Sequence, residues 1–142
     1  MTDATRWRSE GVTVMRADRL ETAIEGKGRA TAFGFAGTAG RNTWIGTVTL
    51  PPRASTGAHH HGNTEVVIYV VTGRTRIRWG ERLEFSAEAG PGDFIYFAPH
   101  VPHQEENLDA NATLDFVVVR SNPEGIAVAL DIAPVEHPET VA

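Results

Sequence analysis

The chain contains no cysteine, which excludes disulfide bridges, zinc–thiolate sites and thiol nucleophiles. It also lacks a long apolar run, because the longest aliphatic and aromatic stretch, residues 66–71, is far too short to span a bilayer. The opening residues, MTDATRWRSE, contain no apolar core of a signal peptide. Positive charge is scarce as well, with 13 Lys and Arg against 18 Asp and Glu. We therefore expect a cytoplasmic protein that binds neither membranes nor nucleic acid.

Short apolar runs ended by glycine or proline make up much of the sequence. WIGTVTL, EVVIYVV and DFIYFA, for example, are followed within two residues by Pro51, Gly73 and Pro99. Such runs are typical of an all-β sandwich or barrel. No stretch has sustained helical periodicity, and only residues 15–25 are a candidate for a turn of helix. A length of 142 residues fits one domain over 1–142, with a polar tail from about residue 131 that lies over the surface or frays.

Alternation within two runs indicates how they are placed. Arg74, Arg76 and Arg78 alternate with apolar residues before a turn near Gly80, which predicts an antiparallel hairpin with one apolar face. These arginines either bind an anionic partner or pair with glutamates across the strands. Residues 65–71 are apolar on both faces, which predicts a central strand between the barrel interior and another layer or subunit.

Three of the six histidines lie together in GAHHHGNTE. Side chains alternate along a strand, so His59 and His61 point to one face and His60 to the other. Neutral imidazole and carboxylate groups suit first-row transition metals, and Glu65, after a turn, can return to the same site. A further ligand can come from His103, at the start of another predicted strand. A histidine-rich surface turn is the alternative.

A second motif, GPGDFIYFAPHVPHQEEN, occupies residues 90–107. Together the two stretches resemble the cupin superfamily, whose motifs are G(X)5HXH(X)3-4E(X)6G and G(X)5PXG(X)2H(X)3N. The matching residues are His59, His61 and Glu65 in the first motif and Gly92, His103 and Asn107 in the second. The resemblance spans about residues 45–120. It implies an all-β fold, the double-stranded β-helix or jelly-roll β-barrel, preceded by lead-in strands.

The sequence departs from these motifs at informative places. One extra residue separates Glu65 from Gly73. A β-bulge just after Glu65 can absorb it and keep the carboxylate pointing inward. Without a bulge, Val66 takes the ligand position and the site consists of three histidines. In the second motif Ala98 replaces the family proline and His100 the family glycine.

The resemblance also implies one divalent transition metal ion per chain, held by His59, His61, Glu65 and His103. Iron, manganese, nickel, zinc and copper all occur in such sites, so the identity of the metal stays open. Cupins of this size are commonly homodimers, which would suit a strand that is apolar on both faces.

Three functions are compatible with such a site. The favoured one is a metal-dependent dioxygenase acting on a small enol-, diketone- or catechol-like molecule in the barrel. The first alternative is an isomerase or lyase in which Glu105, on the same predicted strand face as His103, serves as the base. The favoured interpretation of Glu105 itself is a rim carboxylate or a partner for a nearby arginine. The second is a non-catalytic small-molecule-binding cupin. For each of these functions, either Phe94 and Tyr96 or Ile95 and Phe97 would line the pocket.

Overall fold

A computed structural model describes residues 3–22, 29–33, 42–122 and 127–141. Its strands are β1 (Glu21–Thr22), β2 (Arg29–Phe33), β3 (Trp44–Leu50), β4 (His59–His60), β5 (Val66–Thr72), β6 (Thr75–Trp79), β7 (Phe85–Ala89), β8 (Phe94–Phe97), β9 (His103–Asn107), β10 (Leu114–Arg120), β11 (Val128–Ala129) and β12 (Glu139–Thr140). Within these ranges they form two six-stranded sheets, ordered β1-β2-β3-β10-β5-β8 and β11-β4-β9-β6-β7-β12. The predicted all-β fold of the double-stranded β-helix type is confirmed.

Residues on the inner faces of the two sheets form the core. Inward and outward positions alternate along β10 and over the first five residues of β5, as strand geometry requires. The buried cluster comprises Trp44, Leu50, Val66, Ile68, Val70, Ile77, Ala89, Phe97, Leu114, Phe116 and Val118. The outer face of β5 exposes Tyr69 and Val71, and Tyr69 stacks at 4.8 Å on Phe94 of β8. A second subunit over this face stays a prediction.

The helical content differs from the sequence-based expectation. An α-helix, α1, spans Asp3–Glu10, where no apolar periodicity predicts one. Its residues 5–10 are all exposed, so no packing requirement imposes an apolar stripe on them. Within residues 15–25, the described part holds only a 3-10 turn at Ala17–Arg19 and the strand β1, and residues 23–25 lie outside the described ranges. Neither helical segment in those ranges is long and apolar enough to cross a membrane.

The hairpin of β6 and β7 forms as predicted. On its outer face Arg74 lies 4.0 Å from Glu88, and Arg76 lies 3.8 Å from Glu106 on β9. These contacts favour cross-strand pairing over an anion-binding row for the two arginines. The C-terminal tail runs along the same sheet, where the guanidinium of Arg78 donates to the carbonyl of residue 135 at 2.7 Å and β12 joins β7 in parallel.

Asn107 links three segments of the barrel from a buried position at the end of β9. Its side-chain amide donates to the backbone carbonyls of Leu50, Pro51 and Ala112 at 2.9–3.2 Å. Its side-chain oxygen accepts from the Asp109 N–H at 2.9 Å. Asn107, the last residue of the second motif, therefore provides hydrogen-bond partners for backbone groups at the end of β3 and in the turn before β10.

We expect Asn107→Ala to lower the free energy of unfolding by about 1–3 kcal/mol, because it leaves buried carbonyl groups without donors. Urea unfolding followed by circular dichroism measures this change. Asn111→Ala, in the same turn but exposed, is the matched control and should shift the free energy by less than about 0.5 kcal/mol. Equal effects of the two substitutions would contradict the assigned role.

Candidate metal centre

Three histidines converge inside the barrel. His59 opens β4 and pairs in register with His103, which opens β9, while His61 follows β4 directly. The ring of His103 lies 4.3 Å from that of His59 and 5.2 Å from that of His61. One ring nitrogen from each of the three histidines lies within 4.8 Å of the others. His60 is directed elsewhere, since its Nδ1 accepts from the Gly62 N–H at 2.9 Å.

Backbone carbonyls orient two of the rings. His59 Nδ1 lies 2.7 Å from the Gly57 carbonyl, and His103 Nδ1 lies 3.0 Å from the Val101 carbonyl. Because a carbonyl oxygen only accepts, each Nδ1 carries a hydrogen, and each Nε2 is the ring nitrogen left to face the cluster. Hydrogen bonding of this kind is how proteins orient metal-binding histidines. His103 Nε2 is buried and has no hydrogen-bond partner among the described residues.

Glu105 faces the same space, as its alternation with His103 on β9 predicts. Its side chain is 5% exposed, and its Oε2 accepts from the Thr56 hydroxyl at 2.8 Å. Oε1 lies 3.5 Å from His103 Nε2, and Oε2 lies 3.9 Å from His59 Nε2. Burial alone would raise the pKa of Glu105, but the two histidines and Thr56 outweigh it and hold that pKa at about 2.

These residues fit a divalent transition metal ion. Burial is the main cause that lowers the pKa of His59, so this ring is neutral at pH 7. The pKa of Glu105 is low because the carboxylate is attracted to positive charge at the two rings, so this buried group favours a cation within the cluster. Imidazole nitrogens and carboxylate oxygens are donors that divalent transition metal ions accept.

Glu65 lies outside this cluster, so the geometry of the described residues gives no support to the expectation that it is a ligand. No bulge follows it; β5 starts at Val66, whose buried side chain takes the inward position. The register shift instead falls near the end of β5, between the partners of Asp115 and Phe116. The exposed carboxylate of Glu65 accepts a hydrogen bond from the Tyr96 hydroxyl. The three-histidine arrangement is therefore the one that forms.

A mainly apolar pocket of about 580 Å³ lies among β6, β7 and β8, and the described residues that line it include neither the three histidines nor Glu105. Its walls include Phe94, Ile95, Tyr96 and Phe97, so both predicted aromatic pairs contribute. Phe97 is buried and its ring lies 4.2 Å from the ring of His103, whereas Phe94 and Tyr96 are largely exposed. Phe97 therefore forms a shared wall between the pocket and the histidines.

Thr56 and Arg120 were not singled out from the sequence. Thr56 lies in an irregular segment, where no period predicts which way a side chain points. Arg120 could have been noticed, because it occupies an inward position at the end of TLDFVVVR, after Leu114, Phe116 and Val118. A charged residue in an inward register is a signal that strand alternation provides.

Two facing sheets with inward histidines define a small barrel protein with a candidate metal site. Residues 46–120 match the family model described as the Cupin domain, and this match covers more than half of the chain. The chain therefore belongs to the cupin domain family. A search of curated proteins found no significant match.

Solved structures of similar fold come from several organisms. An uncharacterized conserved protein with a double-stranded beta-helix domain from Klebsiella pneumoniae has a TM-score of 0.65 and 16% identity, covering 84% of this chain and 99% of that one. The polyketide cyclase RemF from Streptomyces resistomycificus has a TM-score of 0.67 and 19% identity, covering 89% of each chain. The oxalate decarboxylase of Bacillus subtilis, with Mn(II) centres, has a TM-score of 0.60 and 18% identity, covering 72% and 28%. These likenesses show a common fold.

Metal content should show whether Glu65 belongs to the metal ligands together with the histidines. We expect His103→Ala to lose most bound metal and Glu65→Gln to retain it at the wild-type ratio, because only His103 directs a donor atom into the cluster. Elemental analysis of protein purified without a tag measures metal per chain. A loss of metal in Glu65→Gln equal to that in His103→Ala would return Glu65 to the ligand set.

Metal removal should lower the melting temperature, and acid should reduce the difference. An ion that binds only the folded state stabilises it by mass action, and protons compete for the same imidazole nitrogens. Because burial lowers the pKa of His59, the unfolded chain binds that proton more readily. The stability that the neutral His59 ring contributes is therefore present above a pH of ~6.5 and is lost as the pH falls below that value. Melting curves with and without chelator at pH 8 and pH 5.5 measure this; equal differences at both pH values would contradict it.

Proposed function

We propose that this protein is a metal-dependent enzyme that removes a proton from a small enol-, diketone- or catechol-like substrate inside the barrel, with dioxygenase chemistry as the favoured outcome. The observation that carries the proposal is Glu105, a buried and ionised carboxylate within 4 Å of the coordinating nitrogens of His59 and His103. A buried carboxylate needs positive charge or hydrogen-bond donors beside it, and an ion bound by these histidines would supply such charge.

The proposed substrates share an acidic hydrogen, on a hydroxyl group in an enol or catechol and on the carbon between two carbonyl groups in a β-diketone, close to an oxygen atom that a metal ion could bind. A divalent ion, when bound by the three histidines, supplies Lewis acidity toward that oxygen. Glu105 accepts the hydrogen as a proton, and the Thr56 hydroxyl holds its carboxylate in place at 2.8 Å. The two histidines and Thr56 lower the pKa of Glu105, so its carboxylate is ionised at neutral pH and available to accept the proton.

Two features favour oxygen chemistry as the outcome. Histidine binds a metal ion as neutral imidazole, so three histidine ligands would leave most of the charge of the ion available for anionic oxygen ligands. The neighbouring pocket is mainly apolar, which suits an uncharged or weakly anionic organic molecule. An isomerase or lyase is the second candidate, because Glu105 can return the proton to another atom. The cupin fold accommodates both kinds of chemistry, since similar structures include an oxalate oxidase and a polyketide cyclase.

An oxygen electrode with iron-loaded protein and a panel of β-diketones, catechols and enols tests the proposal. We expect oxygen uptake by the wild type and at least a ~10²-fold slower rate in Glu105→Gln at equal metal content, because general acid–base groups contribute about that much. Glu106→Gln is the matched control, since Glu106 lies on the same strand but pairs with Arg76 outside the barrel.

The outcomes separate the candidates. Uptake that persists unchanged in Glu105→Gln would remove the assigned role of Glu105 as the proton acceptor. Turnover at the same rate without oxygen, with no oxygen atom incorporated, would replace the dioxygenase by the isomerase or lyase. Stoichiometric metal with no turnover of any substrate class would favour a non-catalytic binding protein.

A further inference from the structure

Arg120 is a buried cation with unsatisfied donors. It is the last residue of β10, occupies an inward position and is 4% exposed. Its Nε and Nη1 have no hydrogen-bond partner within the described part of the chain. Removing guanidinium N–H groups from water without giving them acceptors is strongly unfavourable. The position therefore calls for an acceptor that the described residues do not supply.

An aromatic wall holds the guanidinium in place. Its central carbon lies 4.4 Å from the ring centroid of Trp44, which is fully buried on β3 and paired in register with Arg120. A Cβ added at Gly46 would lie 2.6 Å from Trp44 Cη2, so glycine leaves the room that this ring needs. Stacking on a ring face orients the planar group but satisfies none of its N–H donors.

Arg120 faces the interior that contains the histidine cluster. It is paired in register with Val66, at the position that replaces the family carboxylate, and Val66 is paired with Phe97, whose ring contacts His103. Burial is the main cause that lowers the pKa of Arg120 to about 10, so the group stays charged at neutral pH. Arg29 lowers that pKa further and Glu105 raises it, which places both charges within electrostatic reach.

We propose that Arg120 binds the carboxylate of a small organic acid inside the barrel, from the sheet that faces the histidine cluster. A carboxylate matches the planar guanidinium and accepts from two of its N–H groups at once. The local charges, Arg120 and Arg29 against Glu105, suit a monoanionic group better than a phosphate dianion.

This inference rests on the proposed function and narrows its substrates. An acid whose carboxylate lies on Arg120 presents its other oxygen atoms toward His59, His61 and His103. The enol- or diketone-like substrate is therefore an acid such as a keto acid, and its acidic hydrogen lies between Arg120 and the metal centre, near Glu105.

Thermal shift titrations with pyruvate and malonate test the proposal on metal-free and metal-loaded protein. We expect both acids to raise the melting temperature in both forms, and neutral malonamide to have no effect. Arg120→Met, which removes the charge and its unsatisfied donors, should fold and bind the acids roughly tenfold or more weakly. Arg76→Met is the matched control on the outer face and should respond as the wild type does.

Several results would overturn the assignment. Malonate binding that needs metal and persists unchanged in Arg120→Met would mean that the ion alone binds the acid. A response to inorganic phosphate and to neither acid would assign a different anion. If Arg120→Met does not fold, Arg120→Lys takes its place, and affinity equal to the wild type would remove the role of the planar guanidinium. Metal content, measured on the same samples, tests the proposed function separately.

Discussion

The arrangement of charge inside the barrel depends on one electrostatic constraint. The Nε2 atoms of His59 and His103 lie 3.9 and 3.5 Å from the ionised carboxylate of Glu105. A buried carboxylate is stable only where positive charge or hydrogen-bond donors lie close to it. The carbonyls of Gly57 and Val101 orient the two rings toward this space. The same groups thus make the interior a poor structural core and a suitable metal site.

Strand alternation decides which carboxylate takes part. Glu65 precedes β5 and points outward because Val66 fills the inward position, whereas Glu105 shares the inner face of β9 with His103. Along this strand, a shift of one residue separates the exposed Glu65 from the buried Val66. The carboxylate near the histidines is therefore Glu105 of β9. It does not occupy the position that the first motif assigns to a ligand.

The two sheets bring different chemistry to the interior. The sheet of β4 and β9 contributes the histidines and Glu105, and the facing sheet contributes Arg120 stacked on Trp44. Their charges influence one another, since Glu105 and Arg120 both affect the pKa of His59. The histidine cluster alone would suit many ligands, and under our proposal the Arg120 cation on the facing sheet favours anionic ones.

The sequence by itself determined the all-β class, the cupin resemblance, the convergence of His59, His61 and His103, and the shared strand face of His103 and Glu105. These features follow from local periodicity and motif spacing, which need no knowledge of distant contacts. Only the tertiary structure decided the position of Glu65, the helix α1 and the role of Arg120. Whether a register shift falls beside Glu65 or near Val71 depends on pairing with β10, and whether Arg120 finds an acceptor depends on every strand around it. Such outcomes are set by contacts between residues far apart in the chain, and no local pattern records them.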